Sequence, residues 1–140
     1  MLTGAEWAYQ MQLLRVAQAR HRVFIAMAYG PADDWPAMKY ARASFLLFAR
    51  GSRTAFSYSP LCGVEPSTPT WRADVGSAAG APTQVGSAWL RRFANGVVVV
   101  NPTGSVTATV PLGGQYVQPN GTVVTSLLLG PHSGAVLRKP

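Results

Sequence analysis

The chain has 140 residues, about one domain at roughly 100–200 residues per domain, and 48% are hydrophobic, which supplies a core and excludes disorder over most of the length. Its net charge of +7 comes from 12 basic and only 5 acidic residues, and the ten arginines are scattered, so no nucleic-acid-binding face is expected. No apolar run reaches the roughly 18 residues of a membrane-spanning helix, and Glu6 and Gln10 interrupt any signal-peptide pattern at the N-terminus.

The first predicted element is a helix from about Gly4 to Arg20. Thr3-Gly4-Ala5-Glu6 has the form of a capping box, with Leu2 and Trp7 placed as a hydrophobic staple. Trp7, Met11 and Leu14 then repeat on one helical face, and Arg20-His21-Arg22 puts cations at the helix end. Val23 to Ala28 is a short apolar run of the kind found in a strand buried on both faces of a parallel sheet, ended by Tyr29-Gly30-Pro31.

A second helix follows Asp33 and Asp34, with Pro36 in its first turn, Met38, Ala41, Phe45 and Phe48 on one face, and Gly51 beyond its end. Thr54 to Tyr58 reads as a strand, so residues 1–60 form a βαβ unit with one preceding helix. Two parallel strands alone leave open edges and need both faces covered, so they require further material or belong to the tail of a larger barrel.

Residues 61–86, rich in Pro, Ser, Gly and Ala, read as a connecting loop. From residue 87 to 140 the rhythm changes to short strands separated by turns. Asn95-Gly96 between Trp89–Phe93 and Val97–Val100 signals a hairpin, and Val106–Val110, Val123–Leu129 and Ala135–Leu137 follow. The expected product is a small antiparallel sandwich whose core is Phe93, Val98, Val100, Val106, Val110, Val124, Leu128 and Val136.

These residues carry a resemblance. Arg92-Phe93-Ala94-Asn95-Gly96 with Asn101-Pro102-Thr103, then Pro111-Leu112-Gly113-Gly114-Gln115-Tyr116 and Pro131-His132-Ser133-Gly134, resembles the C-terminal β-domain of glycoside hydrolase-like barrel proteins. Ala73-Asp74-Val75-Gly76 is similar to the stretch that joins barrel and β-domain in that family. The likeness covers residues 70–137 well and 4–60 more loosely. It implies terminal βα elements of a (β/α)₈ barrel over 1–60, an antiparallel β-sandwich over 87–140, and a carbohydrate-active protein whose remaining barrel is the missing partner.

Glycoside hydrolysis needs two carboxyl groups roughly 5–5.5 Å apart for retention or roughly 6.5–9.5 Å for inversion. Only Glu6, Asp33, Asp34, Glu65 and Asp74 are present, and no spacing among them specifies a pair, so the catalytic residues are expected upstream and hydrolysis only if the barrel is completed. Tyr29, Asp33, Trp35, Tyr58, Glu65 and Trp71 follow strand ends, where a barrel builds its site, and are the candidates for sugar binding. For Asp33 and Asp34 helix capping competes with that role, and for Trp35 and Trp71 packing does. Cys62 is alone, His21 and His132 lack a neighbouring acid, and Gly113-Gly114 opens no helix, so no disulfide, metal or phosphate site is read and no cofactor is expected. Three readings stand: an accessory piece of a carbohydrate-active enzyme, a stand-alone sugar-binding or structural β-module, and a basic interaction protein. An extracellular location follows only if the parent protein carries a signal peptide.

Overall fold

The computed structural model describes residues 2–60 and 74–140. Their order is α1 (Gly4–Ala19), β1 (Phe24–Gly30), α2 (Trp35–Phe48), β2 (Thr54–Pro60), β3 (Thr83–Val85), β4 (Ala88–Phe93), β5 (Gly96–Asn101), β6 (Ala108–Val117), β7 (Val123–Leu129) and β8 (Ser133–Arg138). β1 and β2 form a parallel pair in register from Phe24↔Thr54 to Gly30↔Pro60. The other six strands make one antiparallel sheet in the order β3-β4-β5-β8-β6-β7. β8 runs alongside β5 for six residues but touches β6 only at Val117↔Arg138, so the sheet curls into a half-barrel at that join.

The expectation of terminal barrel elements followed by a separate sandwich is overturned by where the helices pack. Trp7 and Leu14 of α1 and Tyr40, Ala43, Phe45 and Phe48 of α2 share one apolar cluster with Phe93, Val98 and Val100 of the antiparallel sheet. The helices therefore cover that sheet as well as β1, which is not the arrangement of a barrel's outer ring. Instead of two stacked sheets, the β6–β7 hairpin curls over the opposite face. Val110, Leu112, Tyr116, Leu127 and Leu129 meet Leu90, Val97, Val99 and Leu137 there in a second cluster. β5 lies between the two clusters and is buried at every position, which is why Gly96–Asn101 reads as an unbroken apolar run.

Two core assignments change. Leu127 and Leu129 point inward while Leu128 is 74% exposed, because the side-chain period of two places alternate residues on opposite faces. Val106 precedes β6 and is half exposed. The hairpin also differs by one position: Phe93 pairs with Gly96, leaving Ala94-Asn95 as the turn. Gly96 is required beyond the turn, since a Cβ there would strike the Leu137 carbonyl and come within 2.8 Å of Val75.

Polar links hold the helices to the sheet. The Trp7 indole N–H donates to Ser44 Oγ at 2.9 Å, joining α1 to α2. Buried Arg91 of β4 donates to the carbonyls of Leu46, Leu47 and Ala49, supplying donors to α2 carbonyls that lack helical partners. Gly134 of β8 lets α2 settle on the sheet, because a Cβ there would lie 2.9 Å from that of Ala43. The capping box expected for α1 does not form: the Thr3 side chain makes no cap bond, and the Gly4 amide, at φ +48°, bonds instead to the Pro102 carbonyl at 2.9 Å.

Candidate functional site

The sequence candidates converge only in part. At the C-terminal end of β1, Asp34 caps α2 by accepting from the Ala37 amide at 3.0 Å, and Asp33 stays exposed. Tyr58 of β2 is buried, and its hydroxyl donates to the Pro31 carbonyl at 3.0 Å. Burial pushes this phenol's pKa up, and the nearby charges of Asp34 and Asp33 push it further in the same direction. Gly30 makes room for the ring, since a Cβ there would overlap the Tyr58 hydroxyl. Tyr58 thus fastens the β1–α2 turn and offers no face to a sugar.

Tyr29 stands apart from this cluster, 63% exposed on the other face of β1. Trp35, half-buried at the start of α2, lines a cleft of about 390 Å³ between α2 and strands β7 and β8, together with Lys39, Arg42, Gln118 and Ser126. Burial lowers the pKa of the Arg42 guanidinium, an effect partly opposed by Asp74. Glu65, Trp71 and Cys62 lie outside the described residues. The four described carboxylates include no assembled pair: Asp34 caps a helix, Asp74 accepts from the Gly76 amide at 2.7 Å, and Glu6 and Asp33 are exposed. Among the described residues no group of three or more His, Cys, Asp or Glu side chains could hold a metal ion. No helix among them is long and apolar enough to cross a membrane.

Two features went unread in the sequence. The first is the bare face of β1, where Ile25, Met27 and Tyr29 are 62%, 55% and 63% exposed, beside Ala55, Ser57 and Ser59 of β2. The alternation was there to find, but the apolar run masked it, because Phe24 and Ala26 on the opposite face pack against the helical cluster. The second is a groove of about 1290 Å³ between α1, the α2–β2 turn and the start of β4. Its lining includes Arg15, Arg22, Arg50, Arg53 and Trp89 and, among the described residues, no carboxylate. Those arginines are spread over 39 residues of sequence, so only the fold collects them.

Compared with known proteins, the chain matches no family model and no curated protein.

Proposed function

We propose that this chain is a non-catalytic accessory module of a carbohydrate-active assembly, docked through β1–β2 to a partner that supplies further β-strand. The observation that carries this reading is the bare parallel pair. Parallel strands are found almost only with both faces covered, and among the described residues β1 and β2 pair only with each other, leaving their outer edges open. Here one face rests on the helices, while the other presents Ile25, Met27 and Tyr29 to solvent along a strand of seven residues. The occupant that satisfies both needs is an extended segment whose backbone pairs with an edge and whose alternate apolar side chains cover the face. The motif likeness supplies the carbohydrate context, and the local roles of Asp34 and Asp74 among the described carboxylates support an accessory part.

The test uses the full chain and a peptide of alternating valine and threonine flanked by lysines, with amide hydrogen exchange as readout. Binding should slow exchange in β1 or β2, and a scrambled peptide should not. The double variant Ile25→Ser, Met27→Ser should lose the effect while keeping the parent's unfolding midpoint. Unchanged exchange would overturn the proposal, as would a homodimer that protects the same residues, since the occupant would then be a second copy. The chain alone should cleave no aryl glycoside.

A further inference from the structure

We propose that the arginine-lined groove between α1 and β4 binds an acidic oligosaccharide, its carboxylates held by Arg15, Arg22, Arg50 and Arg53 and one sugar ring laid on Trp89. The carbohydrate part of this inference rests on the accessory-module reading; the anion preference rests on the groove itself. Arg15 of α1, Arg22 of the strand approach, and Arg50 and Arg53 of the α2–β2 turn all line it and are exposed; Arg53 gives one donor to the His21 carbonyl at 2.9 Å, and the Arg15 guanidinium lies 5.9 Å from the Phe48 ring centroid. Guanidinium forks match planar carboxylates with paired hydrogen bonds, and among the described residues no acidic side chain of the lining competes for them.

The floor is aromatic. Trp89 is half-buried and backed by Trp7 and Phe48, with ring centroids 6.3 and 5.8 Å from its own. That backing holds its ring in place at the border of the groove. Gln12 on α1 adds an exposed amide to the wall. At about 1290 Å³ the groove exceeds the roughly 300–1,000 Å³ of a site for one small molecule, which favours an oligomer.

Nucleic acid is the competing polyanion, and the shape disfavours it. A duplex is read by a convex helix or ribbon entering its groove, whereas these arginines line a concavity. A single strand stacks successive bases on successive rings, but Trp7 and Phe48 are buried, and among the described lining residues Trp89 and the small ring of His21 are the aromatic groups with exposed surface.

Calorimetry on the full chain with hexagalacturonate, a neutral glucose hexamer and a twelve-nucleotide single-stranded DNA tests this at near-physiological salt. The uronate should bind saturably at one site, at least tenfold more tightly than the neutral hexamer. Arg50→Ala with Arg53→Ala should weaken it tenfold or more without moving the unfolding midpoint. Trp89→Phe, which retains a ring to pack on Trp7, should weaken it severalfold. No uronate binding, equal binding of the neutral sugar, an unaffected arginine variant or tighter binding of DNA would each overturn the proposal. Because the peptide experiment reads β1–β2 and this one reads the groove, failure of either is distinguishable from failure of the other.

Discussion

Arg91 donates a 2.8 Å hydrogen bond to the carbonyl of Ala49, so a strand side chain completes a helix end 42 residues upstream. The same terminal nitrogen reaches Leu46 and Leu47, and Nε reaches the Gly80 carbonyl. Burial lowers this guanidinium's pKa, and the charge of Arg50 adds to the effect, so the fold accepts a desolvated cation in order to satisfy four carbonyls. Arg91→Met, apolar and similar in length, should cost about 3 kcal/mol by leaving those carbonyls without donors. A urea melt followed by circular dichroism measures it, and a loss below about 1 kcal/mol would show that the carbonyls find other partners.

Asn101 performs a similar task at the other end of β5. Its amide nitrogen donates to Val106, Leu129 and Gly130, and its oxygen accepts from the Thr103 hydroxyl at 2.9 Å. Asn101→Ala should destabilise by about 2–3 kcal/mol. Asn101→Asp should be worse at neutral pH, because it places a carboxylate against three carbonyl oxygens, and should recover toward the alanine variant as acid protonates it. Urea midpoints of both variants at pH 4 and pH 7 separate these effects.

The facing of β7 makes a paired prediction. Leu127→Ala removes a side chain buried against the curl of the sheet and should cost about 2–5 kcal/mol. Leu128→Gln changes an exposed position and should stay within about 0.5 kcal/mol. A reversed ranking in thermal melts would mean that the strand pairs one residue out of this register.

Stability should fall in alkali. Burial raises the pKa of Tyr40, whose hydroxyl donates to the Leu2 carbonyl at 2.8 Å, and burial also raises that of Tyr58. The folded state keeps both phenols neutral while the unfolded chain ionises near the ordinary value of about 10. Their contribution is therefore complete below about pH 10 and is lost as pH rises toward the folded values, at no more than about 1.4 kcal/mol per pH unit for each phenol. Tyr40→Phe should be less stable at pH 8 through the lost hydrogen bond, yet show a shallower decline between pH 10 and 11.5 in urea midpoints.

Local signals were legible in the sequence where one residue decides one turn. Asp34 and Pro36 start α2 as expected, and the parallel pairing of β1 with β2 follows from the helix between them. Thr3 misled, because the turn at Pro102 competes for the helix entry and no local rule registers a contact 98 residues away. The architecture was hidden for a related reason. Whether the apolar side of α2 rests on parallel strands or on β5 and β8 depends on small contacts such as Gly134 under Ala43, which a hydrophobic pattern does not encode. The site residues divide likewise: Tyr58 was visible as a strand-end aromatic, but its bond to Pro31 turns it from a platform into a fastener.

Val97, Val98, Val99 and Val100 have no measurable exposure, with odd positions in one cluster and even positions in the other. Removing the helices or opening the β6–β7 hairpin uncovers one side of the same strand, so neither event can proceed far without loosening the packing that supports the other. The amides of β5 should accordingly be the last to exchange with solvent deuterium and should do so only through global opening. A tryptophan signal from Trp89 and an amide signal from β7 should then report one unfolding transition, although they sit on opposite sides of that wall.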